Sequence, residues 1–329
     1  MVYGRVLRVP RWGGVAAVAM SIALLPAAAN AAKHVKPDLV ITGKPVVSPE
    51  GPSEGHAVGL TSEVTNKEQK KKKGKGPETA PAGPSTTALR LTHKPQVSNR
   101  VAVSKDVPKL KPDESQSGTG TTTLQGFPPG EYAAKVCADY KNKVKERDED
   151  NNCAAIGKVY VTIFSFGGSF GGSTRAEEGF TEEWGSDGAE LFQLSADGDG
   201  RFTYFFTGFV HYSISGSDAD GCAYSGAGQT SLPLEGSDGL TLDYHKGEYW
   251  GSQGLGGDRP FAWNATCPGE GPQELEGPFD FAGGFIVVDP IDAKPMPFGS
   301  TNLKDSAAEE TDGFTHNWTW DLSPKPSTP

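Results

Sequence analysis

The side chains best suited to acid–base chemistry lie in the C-terminal half, where residues 158–329 carry 26 Asp and Glu. Glu177, Glu178, Glu182 and Glu183 stand close together, and two suitably spaced carboxylates could serve a polysaccharide hydrolase as general acid and base. At this acidic density some close pairs arise by chance. No Gly-x-Ser-x-Gly elbow, His-Glu-x-x-His pair or phosphate loop accompanies them. His211, His245 and His316 could hold a metal only if the fold gathered them, and isolated strand histidines are more often ordinary surface or core residues. Asp197-Gly198-Asp199-Gly200 and Asp218-Ala219-Asp220-Gly221 look like fragments of calcium loops, with Asp197, Asp199, Asp218 and Asp220 as the oxygen donors. Each lacks the later acidic ligand, and Asp-Gly also makes tight turns without any ion. Trp184, Tyr249, Trp250 and Trp263 lie in Gly-rich surroundings. They could form a platform on which sugar rings stack, or they could fill the core.

The N-terminus orders Arg5, Arg8 and Arg11 before an apolar run from Val15 to Leu25 and the small residues Ala27 to Ala31. That order reads as a secretory signal peptide over residues 1–31. The run is too short for a span of about 20 residues, and no later segment is apolar enough, so no integral membrane span is expected after cleavage. Export places the four cysteines, Cys137, Cys153, Cys222 and Cys267, in an oxidising compartment, where an even number favours two disulfides. Three pairings are open. A domain boundary between Cys153 and Cys222 favours Cys137 with Cys153 and Cys222 with Cys267. No Cys-x-x-Cys or paired His spacing supports zinc.

Charge marks such a boundary. Residues 32–157 hold 20 Lys and Arg against 15 Asp and Glu, whereas residues 158–329 hold 8 against 26. An acidic C-terminal half argues against nucleic acid as a partner, because phosphate binding needs clustered cations. Within the basic half, residues 67–76 include Lys70, Lys71, Lys72, Lys73 and Lys75, a run of like charges that belongs in an exposed loop. With 43 Gly and 25 Pro and no long stretch of helical period, the chain reads as short strands joined by turns. The expected fold is therefore all-β: a sandwich over residues 32–157, then a second β-sandwich or barrel over 158–323 and a short tail, 324–329. In the second half Lys158–Phe164 alternates as a strand, and Gly167-Gly168 and Gly171-Gly172 read as flexible turns. Strands follow at 189–195, 201–214, 239–244, 281–288 and 316–322. Trp318 and Trp320 share one face of the last.

Three ordered motifs in the first half carry a resemblance. Pro37-Asp38-Leu39-Val40, then Thr79 to Thr87, then Pro129-Gly130-Glu131-Tyr132 through Cys137-Ala138-Asp139 to Glu146, Glu149, Asn151 and Asn152 resemble the CARDB module, a cell adhesion-related domain found in bacteria. The resemblance covers residues 36 to about 157. It implies an immunoglobulin-like sandwich of about seven strands and an adhesive role, with no catalytic residues. The Lys70–Lys75 insertion departs from the family and lengthens one loop. Asp139, Glu146 and Glu149 are read as an acidic turn rather than a calcium site. The whole chain is thus expected to be a secreted or cell-surface, non-catalytic binding protein of an extracellular protein or glycan ligand, without a cofactor unless calcium fills the Asp-Gly turns. A secreted polysaccharide hydrolase and a purely structural wall-associated protein are the alternatives.

Overall fold

A computed structural model describes residues 35–68, 79–177, 179–232, 239–252, 260–278, 293–311 and 313–325. The expected signal peptide, the lysine run from 70 to 75 and the strand expected at 281–288 lie outside the described residues. Seven strands come first: β1 (Leu39–Ser48), β2 (Ala57–Asn66), β3 (Ser85–His93), β4 (Val97–Val107), β5 (Ser115–Thr123), β6 (Gly130–Cys137) and β7 (Cys153–Val161). They form one sheet ordered β1-β2-β5 and another ordered β4-β3-β6-β7. Alternation builds them. Along β2, Val58, Leu60 and Val64 are buried between the sheets, while Thr61 and Thr65 face outward. Their hydroxyls meet Thr119 at 2.8 Å and Ser115 at 2.7 Å across the strand pair. That ladder holds β5, which has almost no apolar residue of its own. Fully buried Tyr132 donates its hydroxyl to the Pro128 carbonyl at 2.6 Å, which fixes the corner before β6.

The remaining strands are β8 (Ser165–Ala176), β9 (Thr181–Ala196), β10 (Arg201–Ser217), β11 (Ala223–Leu232), β12 (Gly239–Asp243), β13 (Glu248–Ser252), β14 (Pro260–Thr266), β15 (Gln273–Pro278), β16 (Lys294–Pro295), β17 (Leu303–Thr311) and β18 (Phe314–Pro324). Their main path runs β15-β14-β11-β10-β9-β8-β18-β17. The long strand β10 forks the sheet: residues 201–205 pair with β12, and residues 208–217 pair with β11. The branch β12-β13-β16 folds back over the main sheet, so that the Trp320 indole donates to the Tyr249 hydroxyl at 3.0 Å. Phe166, Phe170, Leu191, Phe202, Tyr204, Leu242, Trp318 and Trp320 fill the space between.

Two sequence expectations change here. The glycines of Phe166-Gly167-Gly168-Ser169-Phe170-Gly171-Gly172 are not turns but part of β8, which is paired on both edges. Glycine serves where backbones crowd: a Cβ on Gly168 would sit 2.0 Å from the Asp321 carbonyl oxygen. The alternating residues after Lys158 belong to the first domain, because β7 crosses position 157 and pairs with β6 from Val161↔Gly130 to Cys153↔Cys137. The sheets part at residues 162–164. Charge composition shifts where surfaces change, whereas the strand ends where its partner does.

The two halves are packed together at that junction. Phe298, from the segment after β16, stacks on His93 at 3.6 Å and meets Tyr132 edge-on at 5.3 Å. Gly51 abuts Phe202 so closely that a Cβ there would lie 2.4 Å from the ring. Lys158 and His245 both bond Glu131, at 2.9 and 2.8 Å. Phe298→Ala is expected to cost about 2–3 kcal/mol, below a fully buried phenylalanine because the ring is only partly covered. In a urea titration it should split the unfolding of the two halves into separate transitions. A single unshifted transition would show that the stack carries no coupling.

Candidate functional site

Side chains on the main sheet alternate between the core and the outer face. On the outer face, register places two rows across β18, β8, β9 and β10. One row reads Thr319, Gly171, Gly185, His211, and the other Asn317, Ser173, Glu183, Ser213. The central glycines of the first row leave a dip between Thr319 and His211, which lie three strand spacings, roughly 14 Å, apart. The result is a solvent-open trough of about 370 Å³, also bordered by Ser169. Its floor requires glycine: a Cβ on Gly185 would lie 2.8 Å from the Phe170 carbonyl oxygen and 3.5 Å from His211 Nε2. Two residues along β10 on the same face, Phe209 is 60% exposed. The trough thus offers hydroxyls, one carboxylate, one imidazole and one amide beside a bare aromatic ring.

The residues singled out from sequence scatter by comparison. Glu182 is buried on the inner face and Glu183 is exposed in the trough, so this adjacent pair points to opposite sides of the sheet. Glu177 lies in the turn after β8, and Glu178 is outside the described residues. His211 borders the trough, His245 bonds Glu131 at the junction, and His316 meets Thr174 at 3.0 Å on the inner face, so the three do not converge.

The four proposed platform rings are likewise not gathered. Tyr249 is buried under Trp320, Trp250 is half-buried on β13, and Trp184 lies on β9 opposite Tyr212 with its side chain outside the described set. Only Trp263 joins a half-buried aromatic row, and its partners were not anticipated. Tyr224 lies 5.7 Å from it, Phe180 5.8 Å from Tyr224, Phe314 6.2 Å from Phe180, and His316 6.2 Å from Phe314. The spacing of Phe314, His316 and Trp318 at alternate positions was the available signal.

The Asp-Gly motifs make hairpin turns. Asp197 Oδ1 accepts from the backbone N–H groups of Asp199 and Arg201 at 3.0 and 3.1 Å, closing β9 onto β10. Asp218 Oδ1 accepts from the Cys222 N–H at 2.9 Å, and its other oxygen accepts the Tyr224 hydroxyl. The Tyr224 hydrogen bond holds the Asp218 pKa below its usual value, and the same bond pushes Tyr224 up to about 12. Asp199 and Asp220 are exposed. Among the described residues no three His, Cys, Asp or Glu side chains gather as a metal site. Both disulfides take the pairing the boundary favoured, Cys137–Cys153 and Cys222–Cys267.

In the first domain the acidic turn is a buried knot. Glu146 is 2% exposed; its carboxylate accepts from the Leu39 N–H and from Asn152 Nδ2. Asp38, fully buried, binds Arg147 and accepts from Asn151 Nδ2 at 2.9 Å. Asp139 Oδ2 accepts from the Val144 N–H at 2.6 Å. Burial, then the charges of Glu149 and Asp139, push the Glu146 pKa up to about 7 against the pull of the Leu39 N–H.

The sheets β1-β2-β5 and β4-β3-β6-β7 of the first half make an immunoglobulin-like sandwich with a knotted acidic turn. Residues 36–156 match the CARDB family model, and the first domain is a CARDB domain. No family model recognises the part beyond it. Similar solved structures include the CARDB domain of a Pyrococcus furiosus protein in complex with di-metal ions, 18% identical over 39% of this chain and 90% of that one, with a TM-score of 0.26. The solution structure of a CARDB domain from the same organism is 21% identical over 39% and 96%, with a TM-score of 0.24. A third, from a Methanosarcina acetivorans protein provisionally described as a cell surface protein, is 21% identical over 39% and 93%, with a TM-score of 0.27. No curated protein matches the chain.

Proposed function

We propose that this chain is a non-catalytic, secreted or cell-surface binding protein that engages glycans through the outer-face trough. The CARDB domain acts as its spacer. The observation that carries this reading is the two-row array: a glycine-floored dip edged by Thr319, Asn317, Ser173, Ser213, Glu183 and His211, with Phe209 bare beside it. Sugars need hydrogen-bond partners of both senses for their hydroxyls and a flat apolar surface for a ring face. An apolar ligand would gain little in so polar and open a groove. Among the described residues Glu183 is the one carboxylate lining it. Glycoside hydrolysis by the usual route needs two, about 5–9.5 Å apart. The Asp-Gly turns are closed by their own hydrogen bonds and lie outside the trough, which supports a calcium-independent mode of binding.

A glycan array with the full mature chain tests this reading, run with calcium and with chelator. Saturable binding is expected in both. Thr319→Trp, which fills the dip from an exposed position, and Phe209→Ser, which removes the ring, should each weaken it roughly tenfold or more, the scale of losing a central contact. Absence of binding to every glycan would leave the structural, ligand-free alternative. Release of new reducing ends from a bound polysaccharide would restore the hydrolase.

A further inference from the structure

The ends of the molecule differ in charge and in surface. Hairpin turns at one end of the second domain, between β8 and β9, β10 and β11, β14 and β15, and β17 and β18, all lie on the side away from the first domain. They follow from register: Ala176↔Phe314, Gly216↔Tyr224 and Ala223↔Thr266 are the last pairs there, whereas Phe202 at the start of β10 touches Gly51. At this end lies the half-buried row Trp263, Tyr224, Phe180 and Phe314. Glu177, Asp220, Glu270 and Glu309 border it, all exposed, whereas register turns Glu274, Glu310 and Arg175 to the opposite face of the sheet. The lysine run is attached at the other extreme of the chain's fold. It leaves β2 after Asn66, which pairs with Leu39 at the end of the first domain remote from the junction.

An aromatic row edged by carboxylates suits alkylammonium groups: the rings take the methylene stems and the cation–π contact, and the carboxylates take the charge. We propose that the row and its acidic rim dock the Lys70–Lys75 segment of a second copy of this chain, giving head-to-tail assembly. The same copy is too far away. β10 alone, with 17 residues, extends roughly 50 Å from the junction, while a segment of about a dozen residues reaches at most about 40 Å. Because the two patches differ and lie at opposite ends, the contact is heterologous and propagates into linear chains rather than closing as a dimer. The proposal is independent of the trough, which lies on the other face of the sheet.

Sedimentation velocity on the full mature chain tests it. In about 20 mM salt a concentration-dependent series is expected, with a weight-average mass roughly double the monomer's or more, collapsing to monomer in about 0.5 M salt where charge is screened. A loop variant carrying Lys70→Ser, Lys71→Ser, Lys72→Ser and Lys73→Ser, and a rim variant carrying Glu177→Lys, Glu270→Lys and Glu309→Lys, should each be monomeric alone. The three rim positions are exposed, so folding of that variant should survive. Mixed in equal amounts, the two variants should form a 1:1 complex that grows no further, because the loop of one still meets the rim of the other. A monomeric wild-type chain at low salt, or association that persists in either variant alone, would overturn the proposal. Glycan binding through the trough would be untouched by either result.

Discussion

Replacing both Cys222 and Cys267 with alanine is expected to lower the stability of the second domain by about 4 kcal/mol, the chain-entropy value for a loop of 45 residues. The effect exceeds the roughly 3 kcal/mol expected for Cys137–Cys153, whose separation is 16. The larger loop contains β11 through β14, and the bond ties the β10–β11 turn to the turn after β14. Asp218 and Tyr224 are anchored in that same turn, so the acidic rim should loosen with it. Tryptophan fluorescence isolates the measurement: of the six tryptophans, Trp184, Trp250, Trp263, Trp318 and Trp320 lie in the second domain and Trp12 precedes both domains. A urea midpoint for the double variant equal to wild type would mean that the sheet, not the bond, holds this end together.

The second large effect is one of pH. Glu146 has a folded-state pKa of about 7 against an ordinary value of 4.5. The folded chain therefore binds this proton more tightly than the unfolded chain does. The associated stability is fully present below about pH 4.5 and is lost as pH rises through about 7, some 3 kcal/mol in all. Glu146→Gln should remove that dependence: equal to wild type near pH 5, and more stable by about 2–3 kcal/mol at pH 8. Neutral oxygen still accepts the Leu39 N–H. Asn152, whose Oδ1 has no partner in the buried knot, can turn over and accept from the new amide. Hydrogen exchange of the amides in β1 reads this domain without tryptophan. If wild type and variant lose protection in parallel between pH 5 and 8, the proton is held elsewhere.

Where alternation and turn chemistry were local, the sequence was readable. β2, β10, β12 and β18, the inward pair Trp318 and Trp320 and the CARDB motifs follow from short-range pattern, and the cysteine pairing follows from the domain boundary. β8 was hidden because its glycines, which signal turns locally, are required by neighbours over a hundred residues away, such as Asp321 pressing on Gly168. β11 and β17 are rich in Gly, Ser, Ala or Glu and owe their state to pairing rather than propensity. The trough was invisible for the same reason. Thr319, Gly171, Gly185 and His211 become a row only through register, and no spacing along the chain announces it. The sequence platform failed because aromatic identity does not reveal which face a strand turns to the core. Of the four, Trp263 joins a row of half-buried rings, whereas Tyr249 is buried under Trp320.

On the proposed function a ligand lies against the outer face of β18, β8, β9 and β10. Hydroxyl-radical footprinting of the full chain, with and without the strongest-bound glycan from the array, tests it at the reacting rings. Phe209 and His211 are exposed and oxidise readily when free, and Phe164, 49% exposed near the junction, serves as the internal reference. The account predicts several-fold protection of Phe209 and His211 with Phe164 unchanged. Protection of Phe164 alone, or of Trp263 and Phe314 with Phe209 still fully oxidised, would place the ligand elsewhere and contradict it.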